Sequence, residues 1–150
     1  MEESLGFLEQ LKASFGYEEV DIRTYSPLTL AFLGDGVYEL VVRSLLVGRG
    51  NRGVESLHKE KSRYVNAKTQ AQIAENIREL FTQEEEAIYR RGRNTNIHSS
   101  AKNASMSDYR KATGLEALCG YLYLQNNMER LTGLLKEGFE RVGIRFERKL

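Results

Sequence analysis

One cysteine, Cys119, and two histidines, His58 and His98, are all that this chain of 150 residues offers of the side chains that bind soft metals or form cross-links. A single cysteine excludes an intramolecular disulfide and points to a reducing, intracellular compartment. The histidines stand forty positions apart, so no zinc-ligand spacing exists. No apolar run approaches the roughly 20 residues that a membrane span requires. The opening MEESLGFLEQ is acidic where a secretion signal is basic, which leaves a cytoplasmic protein as the expectation. Strict apolar–polar alternation is missing, which argues against strands. Proline occurs once, at Pro27, and there are no repeats and no low-complexity linker, so residues 1–150 read as one domain, long enough to bury its own core. GRGNRG at 48–53 is glycine-rich, yet it follows a helix and lacks the G-K-[ST] end of a phosphate loop.

Helical periodicity is present almost throughout, and the expected fold class is all-α. Residues 5–15 predict a short first helix. Residues 28–47 are apolar nearly all round, the pattern of a helix buried on most sides, with Pro27 where it would begin. In residues 52–81, Val54, Leu57, Tyr64, Ala67, Ala71, Ala74, Ile77 and Leu80 recur mostly three or four apart, predicting one long amphipathic helix or two in sequence. TQEEEAIYRRG predicts a short helix with Thr82 and Glu85 as a capping box and Gly92 closing it. Residues 93–107 lack periodicity and are rich in Asn and Ser, so they predict an exposed loop. Helix resumes through YRKATGLEALCGYLYL and again through 128–142. Cys119 falls on an apolar stretch and reads as core, His58 as a surface-helix residue, and His98 as a loop residue within reach of a phosphate.

Against this apolar background two carboxylates are conspicuous. Asp35 stands between Gly34 and Gly36 in LAFLGDGVYELVVR, where each glycine costs a helix about 1 kcal/mol relative to alanine. Glycines beside a carboxylate let another backbone or a ligand approach closely, and a buried charge must be paired or bound to metal. Glu116 is the only charge in TGLEALCGYLYL. Two helices each contributing an inward carboxylate would make a hard oxygen site for Mg²⁺, with Mn²⁺ able to substitute. Each residue also has a structural reading. Asp35 could pair with an arginine such as Arg43, and TGLE fits a capping box in which Thr113 is the cap and Glu116 closes the first turn. Glu39, four residues after Asp35, reads more readily as solvent-side or salt-bridged than as a ligand.

The net charge of +1 conceals an uneven distribution, with five glutamates against one lysine in residues 1–20 and six Arg or Lys against one aspartate in residues 88–112. Cations interleaved with Asn and Tyr on or beside an exposed loop suit phosphate and ribose contacts, although a solvated surface loop has a similar composition. An acidic metal site beside a basic loop is the pairing a nuclease needs.

The segment LAFLGDGVYE resembles the signature of the ribonuclease III catalytic domain, L-E-F-L-G-D-[AS]-V-L. TGLEALCGYLYL resembles its partner helix, D-x-x-E-A-L-x-G-x-x-[FY]-L. Within that family, HKEKSRYVNAKTQAQI, EEEAIYRRGRN and YRKATGLEALCGYL are similar to the Mini-III branch, which consists of the catalytic domain without a separate double-stranded-RNA-binding domain. The resemblance covers about residues 25–140. It implies an all-helical endonuclease fold, a homodimer joined through the signature helices, and a valley that accepts double-stranded RNA. It also implies Asp35 and Glu116 as catalytic, metal-holding residues, with Mg²⁺-dependent hydrolysis leaving 5′-phosphate and 3′-hydroxyl ends. The implied substrate is precursor large-subunit (23S) ribosomal RNA. The chain would then grip RNA itself, through Arg91, Arg93, Asn94, Lys102, Asn103, Tyr109 and Arg110. Two positions depart from the family pattern: Leu28 and Thr113 stand where the full-length enzymes carry acids, and Glu39 is a possible substitute ligand. These departures favour the alternative of a non-catalytic RNA-binding or ribosome-associated module that keeps the fold.

Overall fold

The structure, a computed structural model, describes residues 6–95 and 105–146, all helix and connecting turn with no strand among them. The first helix, α1 (Phe7–Phe15), ends at Gly16, whose left-handed φ of 64° suits glycine. A 3₁₀ turn leads to α2 (Pro27–Val47), which starts where Ser26 accepts a hydrogen bond from the Thr29 amide, with Pro27 in the first turn, where no amide donor is needed. The amphipathic stretch that follows is two helices, α3 (Val54–Tyr64) and α4 (Ala67–Ile77). Asn66 divides them: its side-chain oxygen caps α4 at the Thr69 amide, 2.9 Å, while its amide donates back to the carbonyls of Ser62 and Arg63.

The capping box at Thr82 and Glu85 is complete and opens α5 (Gln83–Arg93). Glu85 also ties that helix to the next hairpin, receiving two bonds of 2.9 and 2.8 Å from Arg130, which donates in addition to the Leu80 carbonyl. The long helix α6 (Met106–Leu124) is capped by Ser105, and α7 (Met128–Arg141) follows a short turn through Asn126 at φ 56°.

At the centre lies α6, packed against α2, α4, α5 and α7. The core gathers Tyr38, Ile73, Ile77, Tyr89, Leu115, Leu118, Leu131 and Phe139 around it, with Cys119 also buried. Glycine permits the two tightest crossings. A Cβ built on Gly34 would lie 1.6 Å from the Glu116 carbonyl oxygen, and one on Gly120 would lie 2.1 Å from that of Leu30, so the backbones of α2 and α6 touch. Between α5 and α6, Gly92 and Gly114 play the same part. Gly92 is therefore a packing residue inside α5, not its terminator.

The predicted loop is shorter than expected at both ends, since Arg93 belongs to α5 and residues from Met106 onward to α6; residues 96–104 lie outside the described set. One side of α2 is open: Leu28, Phe32, Leu40 and Val47 are exposed, Phe32 at 84%. Gly36, on the same side, has nothing within 4 Å of a built Cβ. No helix among the described residues is long and apolar enough to cross a membrane.

Candidate active site

The Gly34–Gly120 crossing brings together the two carboxylates that the sequence marks. Asp35 follows the contact glycine on α2 and is exposed, because the oily helix has an open side there. Glu116 lies one turn before Gly120 on α6, half-buried, and its carboxyl faces Asp35. Burial first, and Asp35 second, push the Glu116 carboxyl up to about 9, while the Gln70 amide opposes them.

The structural readings of these acids do not hold. Arg43 pairs with Glu39 at 3.2 Å, not with Asp35, and Lys61 binds the same Glu39 at 3.0 Å. Glu39 is thus the salt-bridged residue that its position favoured over a ligand, with its carboxylate already engaged. Thr113 does not cap a helix: α6 begins seven residues earlier, at Met106, and the buried Thr113 hydroxyl donates to the Tyr109 carbonyl, 2.9 Å. Glu116 is consequently mid-helix. Neither Asp35 nor Glu116 has a cationic partner among the described residues, and no group of three metal-ligating side chains occurs among them. Two acids with no counter-charge form a hard, purely oxygen donor set that a divalent cation would complete.

Arg91, Arg93 and Asn94 lie at the end of α5, which the Gly92–Gly114 contact holds against α6 within two residues of Glu116. Arg91 is exposed with no ion pair among the described residues, and Arg93 lies over the Tyr89 ring at 5.9 Å. Tyr109 and Arg110 are on the first turns of α6, in the stretch where helix was expected to resume. Arg110 is exposed, and Tyr109 lies seven residues before Glu116 on the same face, about 10 Å along the axis. Lys102, Asn103 and His98 fall outside the described residues. His58 is exposed on α3, and burial pushes the Cys119 thiol up, as fits a core cysteine.

Two participants escaped the sequence reading. Gly120 is one, legible only once its contact with α2 is seen. Gln70 is the other, and its signal was available: in AKTQAQIAENI a glutamine occupies the register of Ala67, Ala71, Ala74 and Ile77.

A profile of the ribonuclease III domain matches residues 28–127, the stretch that holds both carboxylates and the glycine crossings. The chain is 44% identical to the Mini-ribonuclease 3 of a Thermoanaerobacter species over 91% of its own length and 94% of that protein. To the Mini-ribonuclease 3 of Streptococcus pneumoniae it is 42% identical, over 82% of this chain and 98% of the other. A crystal structure of a protein from Fusobacterium nucleatum superposes with a TM-score of 0.73 at 34% identity, covering 79% of this chain and 96% of that one. The chain belongs to the ribonuclease III family, in its Mini-ribonuclease 3 branch. It has the all-helical fold of that family and is an endoribonuclease.

Proposed function

We infer that this endoribonuclease cuts double-stranded RNA with Asp35 and Glu116 holding Mg²⁺, or Mn²⁺ in its place, and that residues 1–150 act as one catalytic domain. The observation that carries the reading is the meeting of two carboxylates without a cation across the Gly34–Gly120 crossing. Glu116, raised to about 9, would be neutral at physiological pH unless a positive charge stabilised its ionised form. A divalent cation fits that need and, when bound, supplies electrophilic activation of the phosphate and of a water for in-line hydrolysis to 5′-phosphate and 3′-hydroxyl ends. The chain's own share is placement. Asp35 stays open to solvent and substrate, Glu116 is fixed by α6, and Arg91, Arg93, Asn94, Tyr109 and Arg110 bind the phosphates and 2′-hydroxyls of an A-form duplex, together with Lys102 and Asn103. Precursor 23S ribosomal RNA is the substrate the branch resemblance favours. The open apolar side of α2 supports a symmetric homodimer.

Leu28, exposed on α2, and Thr113, its hydroxyl committed to the backbone, favour the second reading, an RNA-binding module without chemistry. One experiment separates the two. A labelled RNA duplex incubated with Mg²⁺ or with EDTA is expected to be cut only with Mg²⁺. Asp35→Ala and Glu116→Ala are expected to lower the rate by about a thousandfold, about 4 kcal/mol in barrier, while still binding the duplex. Wild-type protein that binds but never cuts would leave the non-catalytic module standing.

A further inference from the structure

Gln70 sits where α4 is otherwise apolar: Ile73, Ala74 and Ile77 on its face are fully buried, and Gln70 itself is 4% exposed. Its side-chain nitrogen, Nε2, makes no hydrogen bond of normal geometry. A buried donor left unmade is a net cost to the fold, whereas a methionine or leucine would fill similar space without that penalty. The fold alone gives no reason for an amide there. The α4 helix packs directly on α6, and the Gln70 side chain lies beside the Glu116 carboxyl.

We propose that Gln70 is a positioning residue: its N–H group, buried between α4 and α6 and aimed at the Glu116 carboxylate, holds one oxygen so that the other stays available, with Asp35, to a divalent cation. A neutral donor suits this role better than a lysine or arginine, because it stabilises the ionised carboxylate without bringing a positive charge that would compete with the cation. The inference rests on the reading of Asp35 and Glu116 as the cation-holding pair. It also bears on how a site with only two acids manages, since the amide lends the pair a fixed orientation in place of a third ligand.

The test is Mn²⁺ binding by titration calorimetry to wild type, Gln70→Met and Asp35→Ala, with thermal melting in EDTA and the Mg²⁺ dependence of duplex cutting measured alongside. Gln70→Met is expected to bind Mn²⁺ about tenfold to a hundredfold more weakly, and to need correspondingly more Mg²⁺ for half-maximal cutting, while melting in EDTA at or above the wild-type temperature. A purely structural glutamine would instead lower the melting temperature and leave Mn²⁺ affinity unchanged, which overturns the proposal. Gln70→Leu repeats the test should the methionine variant not fold, and failure of both to fold overturns it too, by showing that the amide serves the fold. Mn²⁺ binding lost in Asp35→Ala but intact in Gln70→Met removes Gln70 alone. Binding absent from wild type, or unchanged in Asp35→Ala, removes the paired-carboxylate reading and Gln70 with it.

Discussion

At Glu116 a carboxyl is kept neutral near physiological pH by burial first and by Asp35 second, and the consequence can be measured without substrate. In the unfolded chain this group ionises near its ordinary value of 4.5; in the folded, metal-free protein it keeps its proton up to about 9. Unfolding therefore releases a proton anywhere between those values, and the Glu116 contribution to stability falls as pH rises through that window. Glu116→Gln, which is neutral throughout, is expected to melt above wild type in EDTA at pH 8, by about 2–4 °C for each kcal/mol relieved, with the difference shrinking towards pH 5. Equal melting at both pH values would show that the carboxyl is not held this way. The residues themselves were only partly legible. Asp35 is visible as the lone acid in an oily run, and its flanking glycines divide the close approach expected of them: Gly34 meets the α6 backbone, while Gly36 leaves open space. TGLE imitates a capping box, yet helix already runs from Met106. A local motif marks a helix start only when the residues before it are not helical.

Between elements, the decisive quantity is how closely α2 and α6 approach. In Gly34→Ala the added methyl meets the Glu116 carbonyl at 1.6 Å, so the helices must part. Alanine's better helix propensity, about 1 kcal/mol, is outweighed by overpacking against backbone, for a net loss of about 1–3 kcal/mol. Cutting should fall further than stability, because Asp35 and Glu116 both flank the displaced contact. The control is Gly133→Ala on α7, where a built Cβ finds nothing within 4 Å and the same exchange is expected to stabilise. Melting curves for both variants read the two signs, and a neutral Gly34→Ala would mean the crossing is not tight. Helix positions were readable from spacing because amphipathic faces follow from where the core lies. Their joints were less so: the break at Asn66 is made by one side chain bonding in both directions, and the Gly92–Gly114 contact involves residues that leave no periodic trace.

At the scale of the whole molecule, the open side of α2 remains to be explained. Leu28, Phe32, Leu40 and Val47 line one side of the same helix that carries Asp35, and Phe32 is almost wholly exposed. A second copy applied by a twofold axis would cover that side on both chains at once, with Gly36 leaving room for close approach. Because Asp35 and Glu116 come from one chain, such a dimer would not build the cation site but would duplicate it, giving one site for each strand of a duplex. Phe32→Glu separates these effects. Light scattering at micromolar concentration is expected to give a dimer for wild type and a monomer for the variant. The variant should bind Mn²⁺ as wild type does, since its carboxylate pair is untouched, yet double-strand cutting should fall at least about tenfold because two coordinated sites no longer face one duplex. A monomeric wild type, or a variant that stays dimeric and fully active, would move the interface elsewhere and leave the exposed side of α2 to another partner.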